Sequence, residues 1–174
     1  IVTGIDIHPI MIEKAKKRMK KERLPVEILQ CSIENVPLHD YAFDFVLSES
    51  VLSFVDKPTS LSEIYRLLKD DGQLIAIEFT INKPLETAIE NEIKQFYGFE
   101  SLLTEQDWIH HFEQAGFTTI QVEQKQPLNK NEAIPEFDYS QNVELELYDI
   151  MEQHHKMTLK YMDIWDYRIF TCNK

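Results

Sequence analysis

The stretch VTGIDIHPIMIEKAKKRM, residues 2–19, decides how this chain folds. Its first five residues predict a short apolar strand that ends in a carboxylate, Asp6. Pro9 follows at a position suited to the first turn of a helix, where its missing N–H removes no hydrogen bond. Apolar residues then recur at helical spacing, namely Ile10, Met11, Ala15 and Met19. The stretch therefore predicts a strand that passes directly into a helix.

Further apolar runs predict strands at 26–30, 43–49 and 74–79. The run at 43–49 is nearly continuous in apolar residues, as expected of a strand that is covered on both faces. Before the last run, an apolar stripe predicts a helix that Gly72 ends in the left-handed conformation. This alternation of strands and helices predicts an α/β fold with a parallel sheet and right-handed crossovers.

The second half of the chain predicts three helices and two strands. Thr104 and Asp107 have the spacing of a capping box at the start of one helix, and Gly116 ends that helix. The helices are predicted at 84–98, 104–116 and 142–163, and the strands at 117–124 and 167–172. We expect the last strand to be antiparallel to its neighbours.

The charge of the chain argues against two classes of partner. The net charge is -12 over 174 residues, which disfavours binding to nucleic acid or to an anionic membrane. Residues 14–23 hold seven of the 18 basic residues, which predicts the solvated face of one helix, with a docking patch for an anionic partner as the alternative. No apolar run reaches the roughly 18 residues needed to span a bilayer.

Cysteines and histidines predict no metal centre. Cys31 and Cys172 lie in no Cys-x-x-Cys motif, so we expect two buried thiols in a cytoplasmic protein. The pairs at 110–111 and 154–155 are adjacent histidines, whose side chains point about 100° apart on a helix and chelate poorly. A zinc-binding helix places its histidines four residues apart instead, so we expect surface histidines.

Three stretches resemble the class I S-adenosylmethionine-dependent methyltransferases that act on small molecules in bacteria. They are TGIDIHPIMIEKAKKR (3–18), CSIENVPLHDYAFDFVLSESVLSFV (31–55) and EIYRLLKDDGQLIAIEF (63–79). The resemblance covers residues 1–79 and, more weakly, the last strand. It implies a Rossmann-like, doubly wound, mostly parallel sheet with an antiparallel last strand. It also implies methyl transfer from S-adenosylmethionine to a small-molecule acceptor.

The resemblance implies a cofactor site at the ends of the first two strands. Asp6 would accept hydrogen bonds from both ribose hydroxyls, with Ile7 beside it, because a carboxylate suits a vicinal diol. The alternative for Asp6 is a carboxylate that caps the following helix. Ser32 and Ile33 stand where the family commonly has Asp and an apolar residue against adenine; the alternative is a plain loop serine and a core isoleucine.

The same resemblance places further site residues after the strand at 43–49. Ser48 and Glu49 end that strand, at the edge where open α/β sheets bind ligands. Ser53 stands where many relatives carry a histidine, and we assign it to the substrate. Tyr97 and Tyr139 are predicted to line the substrate pocket, because the family often covers its substrate with helices such as those within 84–166; ordinary core packing is the alternative for both. The catalytic residues are left unknown.

One family feature is missing from these 174 residues. The glycine-rich loop that follows the first strand in the family is absent, and the four glycines are Gly4, Gly72, Gly98 and Gly116. We expect that loop, the first strand and the first helix to lie upstream of residue 1, so that 1–174 is a partial single domain. The incomplete sheet would leave a gap of about 10 Å beside the strand at 2–6, which invites self-association.

Two other functions fit part of the sequence. An NAD-dependent oxidoreductase also places an acidic residue at the end of its second strand. A non-catalytic interaction remnant of a methyltransferase would explain the missing glycine loop. The turn RLLKDDGQL (66–74) favours the methyltransferase, which works mainly by positioning its reactants and needs no covalent catalyst.

Overall fold

The computed structural model describes residues 1–124 and 145–174. Strands and helices alternate through the first half, as the sequence predicts. In chain order the elements are β1 (Val2–Asp6), α1 (Pro9–Glu22), β2 (Val26–Gln30), β3 (Phe43–Glu49), the 3₁₀ turn η1 (Leu52–Phe54), α2 (Lys57–Leu67), β4 (Leu68–Ile81), α3 (Thr87–Tyr97), α4 (Glu105–Gln114), β5 (Ile120–Gln124), α5 (Leu145–Tyr161) and β6 (Trp165–Asn173).

The strands form two sheets. β1 pairs with β2 in parallel, and β3 pairs with β4 in parallel within a four-stranded sheet of order β3-β4-β6-β5. β6 lies between β4 and β5 and is antiparallel to both. The predicted α/β fold with an antiparallel last strand is therefore confirmed.

The strands at 2–30 are separate from the sheet that holds β3, and the gap beside β1 stays a prediction. Within the described residues β1 pairs only with β2 and β3 only with β4, so each has an unpaired edge. The prediction that β3 is covered on both faces is wrong, because Phe45 and Leu47 are 66% and 68% exposed on one face. Val46, on the other face, packs against the core.

The prediction that Gly72 ends a helix is also wrong. α2 ends at Leu67, and β4 begins directly at Leu68 and includes Gly72. The backbone folds tightly here, because a Cβ on Gly72 would lie 2.8 Å from the carbonyl oxygen of Lys69. The register of β3 and β4 shifts at the same point, between Phe43 and Phe45. The glycine serves a close approach of backbone atoms and not a left-handed turn.

Two apolar clusters hold the larger sheet. The first joins α2 and α4 to β4 and β6 around fully buried Trp108, Phe112 and Phe170. The second joins α3 and α5 to the carboxyl end of β4 around Phe79 and Ile93. The second cluster borders the pocket described below.

The helix ends follow the sequence signals closely. Thr104 and Asp107 form the predicted capping box at the start of α4, and Gly98 ends α3 with a φ of 77°. Residues 14–23 lie on α1, where Ile12 is the one buried side chain, as expected for a solvated face. No helix in residues 1–124 and 145–174 is long and apolar enough to cross a bilayer.

Candidate active site

A pocket of about 230 Å³ lies where the loop after β3 meets α3, α5 and the carboxyl end of β4. The loop contributes Ser50, Ser53 and Phe54. The other side chains that line it come from β4, α3 and its following turn, α5 and β6, namely Phe79, Tyr97, Phe99, His154, Thr158, Trp165 and Tyr167. Because ligands of open α/β sheets bind beyond the carboxyl ends of the strands, this is the best-placed ligand site in the described residues.

Tyr97 carries a polar group into this pocket. Its hydroxyl lies 2.9 Å from Nδ1 of His154 on α5. Its ring stacks on Phe99 with centroids 5.2 Å apart and meets Trp165 edge-on at 5.7 Å. Burial raises the pKa of the Tyr97 phenol, so the hydroxyl stays protonated at neutral pH. Tyr97 is the last residue of α3.

A buried carboxylate, Glu78, holds the loop that forms one wall of the pocket. Glu78 is fully buried in β4, and its oxygens accept hydrogen bonds from the backbone N–H groups of Leu52, Val51 and Ser53 at 3.0, 3.2 and 3.3 Å. Burial raises the pKa of the Glu78 carboxyl, although these hydrogen bonds oppose the shift. The carboxylate fixes the turn η1, which carries Ser53 and Phe54 to the pocket wall.

Two predicted site residues are bound to this carboxylate. The hydroxyl of Ser53 donates to Glu78 at 2.9 Å, and the hydroxyl of Ser48 donates to it at 3.4 Å. Both serines are buried, and Ser53 also lines the pocket. Each hydroxyl donates its proton within the protein and retains oxygen lone pairs as acceptors.

Sequence reasoning missed Glu78 and His154. An ionisable residue inside the apolar run LIAIEF (74–79) is a signal that identifies Glu78, because a buried carboxylate needs several donors. His154 has the exposure expected of a surface histidine, but its ring also lines the pocket. Only the packing of α5 against α3 brings it to Tyr97. Within residues 1–124 and 145–174, no cluster of metal-binding side chains is present.

Asp6 lies at the carboxyl end of β1, as predicted, beside Gln30 at the end of β2. Its Oδ1 accepts a hydrogen bond of 2.7 Å from the backbone N–H of His8, and its Oδ2 accepts none from the described residues. The side chain of Ile7 is exposed, and its carbonyl accepts a hydrogen bond from the Gln30 amide at 3.3 Å. His8, and not Asp6, caps α1, since its ring accepts from Ile10 N–H.

The remaining predicted cofactor residues have different surroundings. The Ser32 hydroxyl accepts from the backbone N–H of Glu34 at 3.2 Å and so closes a local turn. Ile33 packs against the first apolar cluster. Glu49 is exposed at the end of β3. Tyr139 lies outside the described residues. The structure therefore brings Ser53 and Tyr97 to one pocket, whereas Asp6 and Ser32 lie at the ends of β1 and β2.

Comparison with known proteins identifies the family. Residues 1–76 match a family described as a methyltransferase domain. The chain is 37% identical to the uncharacterized methyltransferase YodH of Bacillus subtilis, over 99% of this chain and 75% of that protein. It is 32% identical to the ubiquinone/menaquinone biosynthesis C-methyltransferase UbiE of Citrifermentans bemidjiense, over 45% of this chain and 35% of that protein. The chain belongs to the class I S-adenosylmethionine-dependent methyltransferases.

A solved structure supports the same fold. Phosphoethanolamine N-methyltransferase 2 of Haemonchus contortus, in complex with S-adenosyl-L-methionine, superposes with a TM-score of 0.78 at 21% identity. The match covers 99% of this chain and 43% of that one. The matched residues thus cover less than half the length of this protein and of UbiE, and three quarters of YodH.

Proposed function

We propose that this protein transfers a methyl group from S-adenosylmethionine to a small apolar acceptor held in the aromatic pocket. The observation that carries the proposal is the position of the pocket, whose wall is the loop directly after β3, at the carboxyl edge of the sheet. Family membership supports the cofactor, and the pocket supports the acceptor. When bound, S-adenosylmethionine supplies an electrophilic methyl group on a sulfonium sulfur.

The residues at the ends of β1 and β3 suit this cofactor. Asp6 has an oxygen that accepts no hydrogen bond from the described residues, which leaves it free to accept from the ribose diol that we assign to it. Glu49 is exposed at the end of β3 and is a carboxylate available to a cationic amino group. Ser32 and Ile33 remain proposed contacts of adenine, and Ile7 and Ser48 proposed neighbours of the cofactor, through backbone or hydroxyl oxygen.

The pocket suits a small apolar acceptor. Aromatic side chains form most of its wall, and such walls exclude water and bind planar or hydrocarbon groups. We propose that Ser53 and Tyr97 contact the acceptor, and Tyr139 is retained as a third proposed contact. Holding the acceptor against the methyl group is the main contribution of the protein, since such transfers depend on alignment of the reacting atoms.

Binding calorimetry with S-adenosylmethionine and with NAD tests the proposal. We expect heat with S-adenosylmethionine alone. Heat with NAD alone would support an oxidoreductase, and heat with neither would support a non-catalytic interaction domain. A matched pair of variants locates the site: Asp6→Asn should weaken S-adenosylmethionine binding by about tenfold or more, since hydrogen bonds to a charged group contribute about 1.5–3 kcal/mol.

Asp44→Asn is the control for Asp6→Asn. Asp44 is exposed at the opposite end of β3, where it pairs with Lys69 at 2.7 Å. Its removal should leave cofactor affinity unchanged, because exposed ion pairs contribute little. Equal affinities of Asp6→Asn and Asp44→Asn would contradict the assignment of Asp6.

We also propose that the protein self-associates through the unpaired edges of β1 and β3. Unpaired backbone groups and the exposed Phe45 and Leu47 support this. Sedimentation velocity over a range of concentrations tests it. Leu47→Lys should shift the equilibrium toward the monomer, and a monomer at every concentration of the unmodified protein would contradict the proposal.

A further inference from the structure

We propose that Tyr97 and His154 form a proton relay for an acceptor whose reacting group is a hydroxyl on an apolar ring. This inference rests on the proposed function, because it concerns the acceptor side of the same site. It adds a chemical class of acceptor and gives two residues defined roles. The pair belongs to different helices, α3 and α5, and meets only in the folded protein.

The relay consists of a phenol and an imidazole in hydrogen-bond contact. The Tyr97 oxygen and Nδ1 of His154 are 2.9 Å apart, and both side chains line the pocket. With the ring proton of His154 on Nε2, Tyr97 donates to Nδ1, and its oxygen lone pairs accept a hydrogen bond from a hydroxyl in the pocket. His154 is exposed, so a proton that reaches its ring is released to water.

Aromatic neighbours hold the ring of Tyr97 in place. Its ring is stacked on Phe99 and is met edge-on by Phe96 and Trp165, with centroids 5.2, 4.7 and 5.7 Å away. The His154 ring meets it at 88°, with centroids 5.7 Å apart. A side chain held on several sides loses little further freedom when an acceptor binds, which favours productive alignment.

The pocket wall favours a neutral ring over a cationic amine. Six of its side chains are aromatic, namely Phe54, Phe79, Tyr97, Phe99, Trp165 and Tyr167. No carboxylate of the described residues is among the lining side chains. Glu78, buried behind the loop, binds the backbone of residues 51–53. An ammonium group would gain attraction to the ring faces, but it would leave water without a counter-charge in the pocket. A neutral phenol has a much smaller free-energy cost of desolvation.

The proton and electron pairs balance in the proposed step. The acceptor O–H bond breaks and an O–CH₃ bond forms, while the S–CH₃ bond of S-adenosylmethionine breaks and its electron pair returns to sulfur. The acceptor proton moves to the Tyr97 oxygen as the Tyr97 proton moves to Nδ1 of His154. The resulting imidazolium releases one proton to water, so the step needs no oxidant or reductant.

Methyl transfer to phenol, 4-methylphenol and 4-nitrophenol tests the relay, with S-adenosylhomocysteine and the methyl ether as measured products. Tyr97→Phe and His154→Gln should each lower kcat for phenol by about 100-fold, the usual contribution of a general base. KM should change by less than about threefold, because the variants lose stabilisation of the transition state and not binding of the substrate. With 4-nitrophenol, which is largely ionised at mildly alkaline pH, the loss should shrink below about tenfold.

Binding of phenol gives a second measurement that needs no cofactor. In calorimetry, Tyr97→Phe should weaken phenol binding by about fivefold, as expected for one lost hydrogen bond, whereas His154→Gln should leave it nearly unchanged. His155→Ala and Tyr148→Phe are matched controls, because both residues are exposed on α5 outside the pocket. Neither control should change kcat or phenol binding.

The outcomes separate the inference from the proposed function. Binding of S-adenosylmethionine without methylation of any phenol, or methylation of an apolar amine such as benzylamine in place of phenols, overturns the inference and leaves the proposed function intact. Equal losses with phenol and 4-nitrophenol indicate a structural role and overturn the relay. Absence of S-adenosylmethionine binding overturns the proposed function, and the inference with it.

Discussion

The two sheets differ sharply in how much apolar surface they bury. Across residues 2–30, which form β1, α1 and β2, Ile12 is the one buried side chain, and Ile7 is 71% exposed. In the four-stranded sheet, by contrast, side chains of β4 and β6 are fully buried, among them Leu74 and Phe170. Burial of apolar surface is the main stabilising contribution in folding, so most of the stability belongs to the larger sheet.

Because of this difference, the residues that provide most of the stability and the residue proposed to bind the cofactor ribose lie in different sheets. The carboxylate proposed for the ribose, Asp6, lies on the lightly packed unit, whereas the acceptor pocket lies on the heavily packed one. Changes near Asp6 should therefore affect binding with little effect on folding. Changes in the walls of the pocket should affect both.

The largest expected effect comes from the core of the larger sheet. Phe170→Ala should lower the free energy of unfolding by about 3–5 kcal/mol, because Phe170 is fully buried against Trp108 and Phe112. Urea unfolding followed by tryptophan fluorescence measures it. Ile12→Ala in α1 is the counterpart and should cost only about 2 kcal/mol, since its exposed neighbours can close the cavity. Equal losses in the free energy of unfolding for the two variants would contradict the conclusion that the larger sheet provides most of the stability.

The next effect concerns the buried carboxylate. Glu78→Ala should cost about 3 kcal/mol, because it leaves three backbone N–H groups and two hydroxyls without their acceptor. Asp6→Ala, at the carboxyl end of the other sheet, should cost less than about 1 kcal/mol, since one exposed N–H loses its partner. Thermal unfolding of both variants measures the difference.

The contribution of Glu78 should also depend on pH. Burial raises the pKa of its carboxyl above the ordinary 4.5, so the folded protein binds this proton more tightly than the unfolded chain. The stabilisation is complete below pH 4.5 and is lost as the pH rises through the folded-state pKa. The free energy of unfolding of Glu78→Gln should therefore fall furthest below that of the unmodified protein at pH 4.5 and below. The difference should become smaller toward neutral pH. A difference in free energy of unfolding that does not change with pH would contradict a raised pKa of Glu78.

Local sequence signals predicted most of the fold. The capping box at Thr104 and Asp107 and the strands β2 and β3 lie where their patterns indicated, because the determinants are neighbours in the chain. Gly72 was misassigned, since its role is a backbone approach to Lys69 within a strand and no periodicity signals that.

The site was less predictable than the fold. Position at a strand end indicated Asp6 and Ser48, but hydrogen-bond partners decide what each side chain does. The Ser48 hydroxyl is directed at Glu78, 30 residues later in the chain. The contact between Tyr97 and His154 joins residues 57 apart through tertiary packing. Sequence patterns report short-range periodicity and give no direct measure of such distant contacts.

A smaller effect sharpens the comparison at the start of α4. The Asp107 carboxyl accepts hydrogen bonds from the hydroxyl and backbone N–H of Thr104 at 2.7 and 2.9 Å, which lower its pKa below the ordinary 3.8. Asp107→Asn should cost about 1 kcal/mol at neutral pH, the usual value of a cap. A lowered pKa stabilises the fold above pH 3.8, and this is lost as the pH falls through the folded-state pKa. The difference in free energy of unfolding between Asp107→Asn and the unmodified protein should therefore become smaller as the pH falls below 3.8.

The smallest effect is expected on the solvated face of α1. Glu13 and Lys17 form an ion pair at 2.6 Å, but their side chains are 65% and 75% exposed. Glu13→Gln should leave the free energy of unfolding nearly unchanged, because water and salt screen an exposed pair. Urea unfolding at low and high salt measures it. A clear loss of stability at low salt that disappears at high salt would show that α1 depends on this pair, and that surface charge, rather than apolar burial, stabilises the smaller sheet.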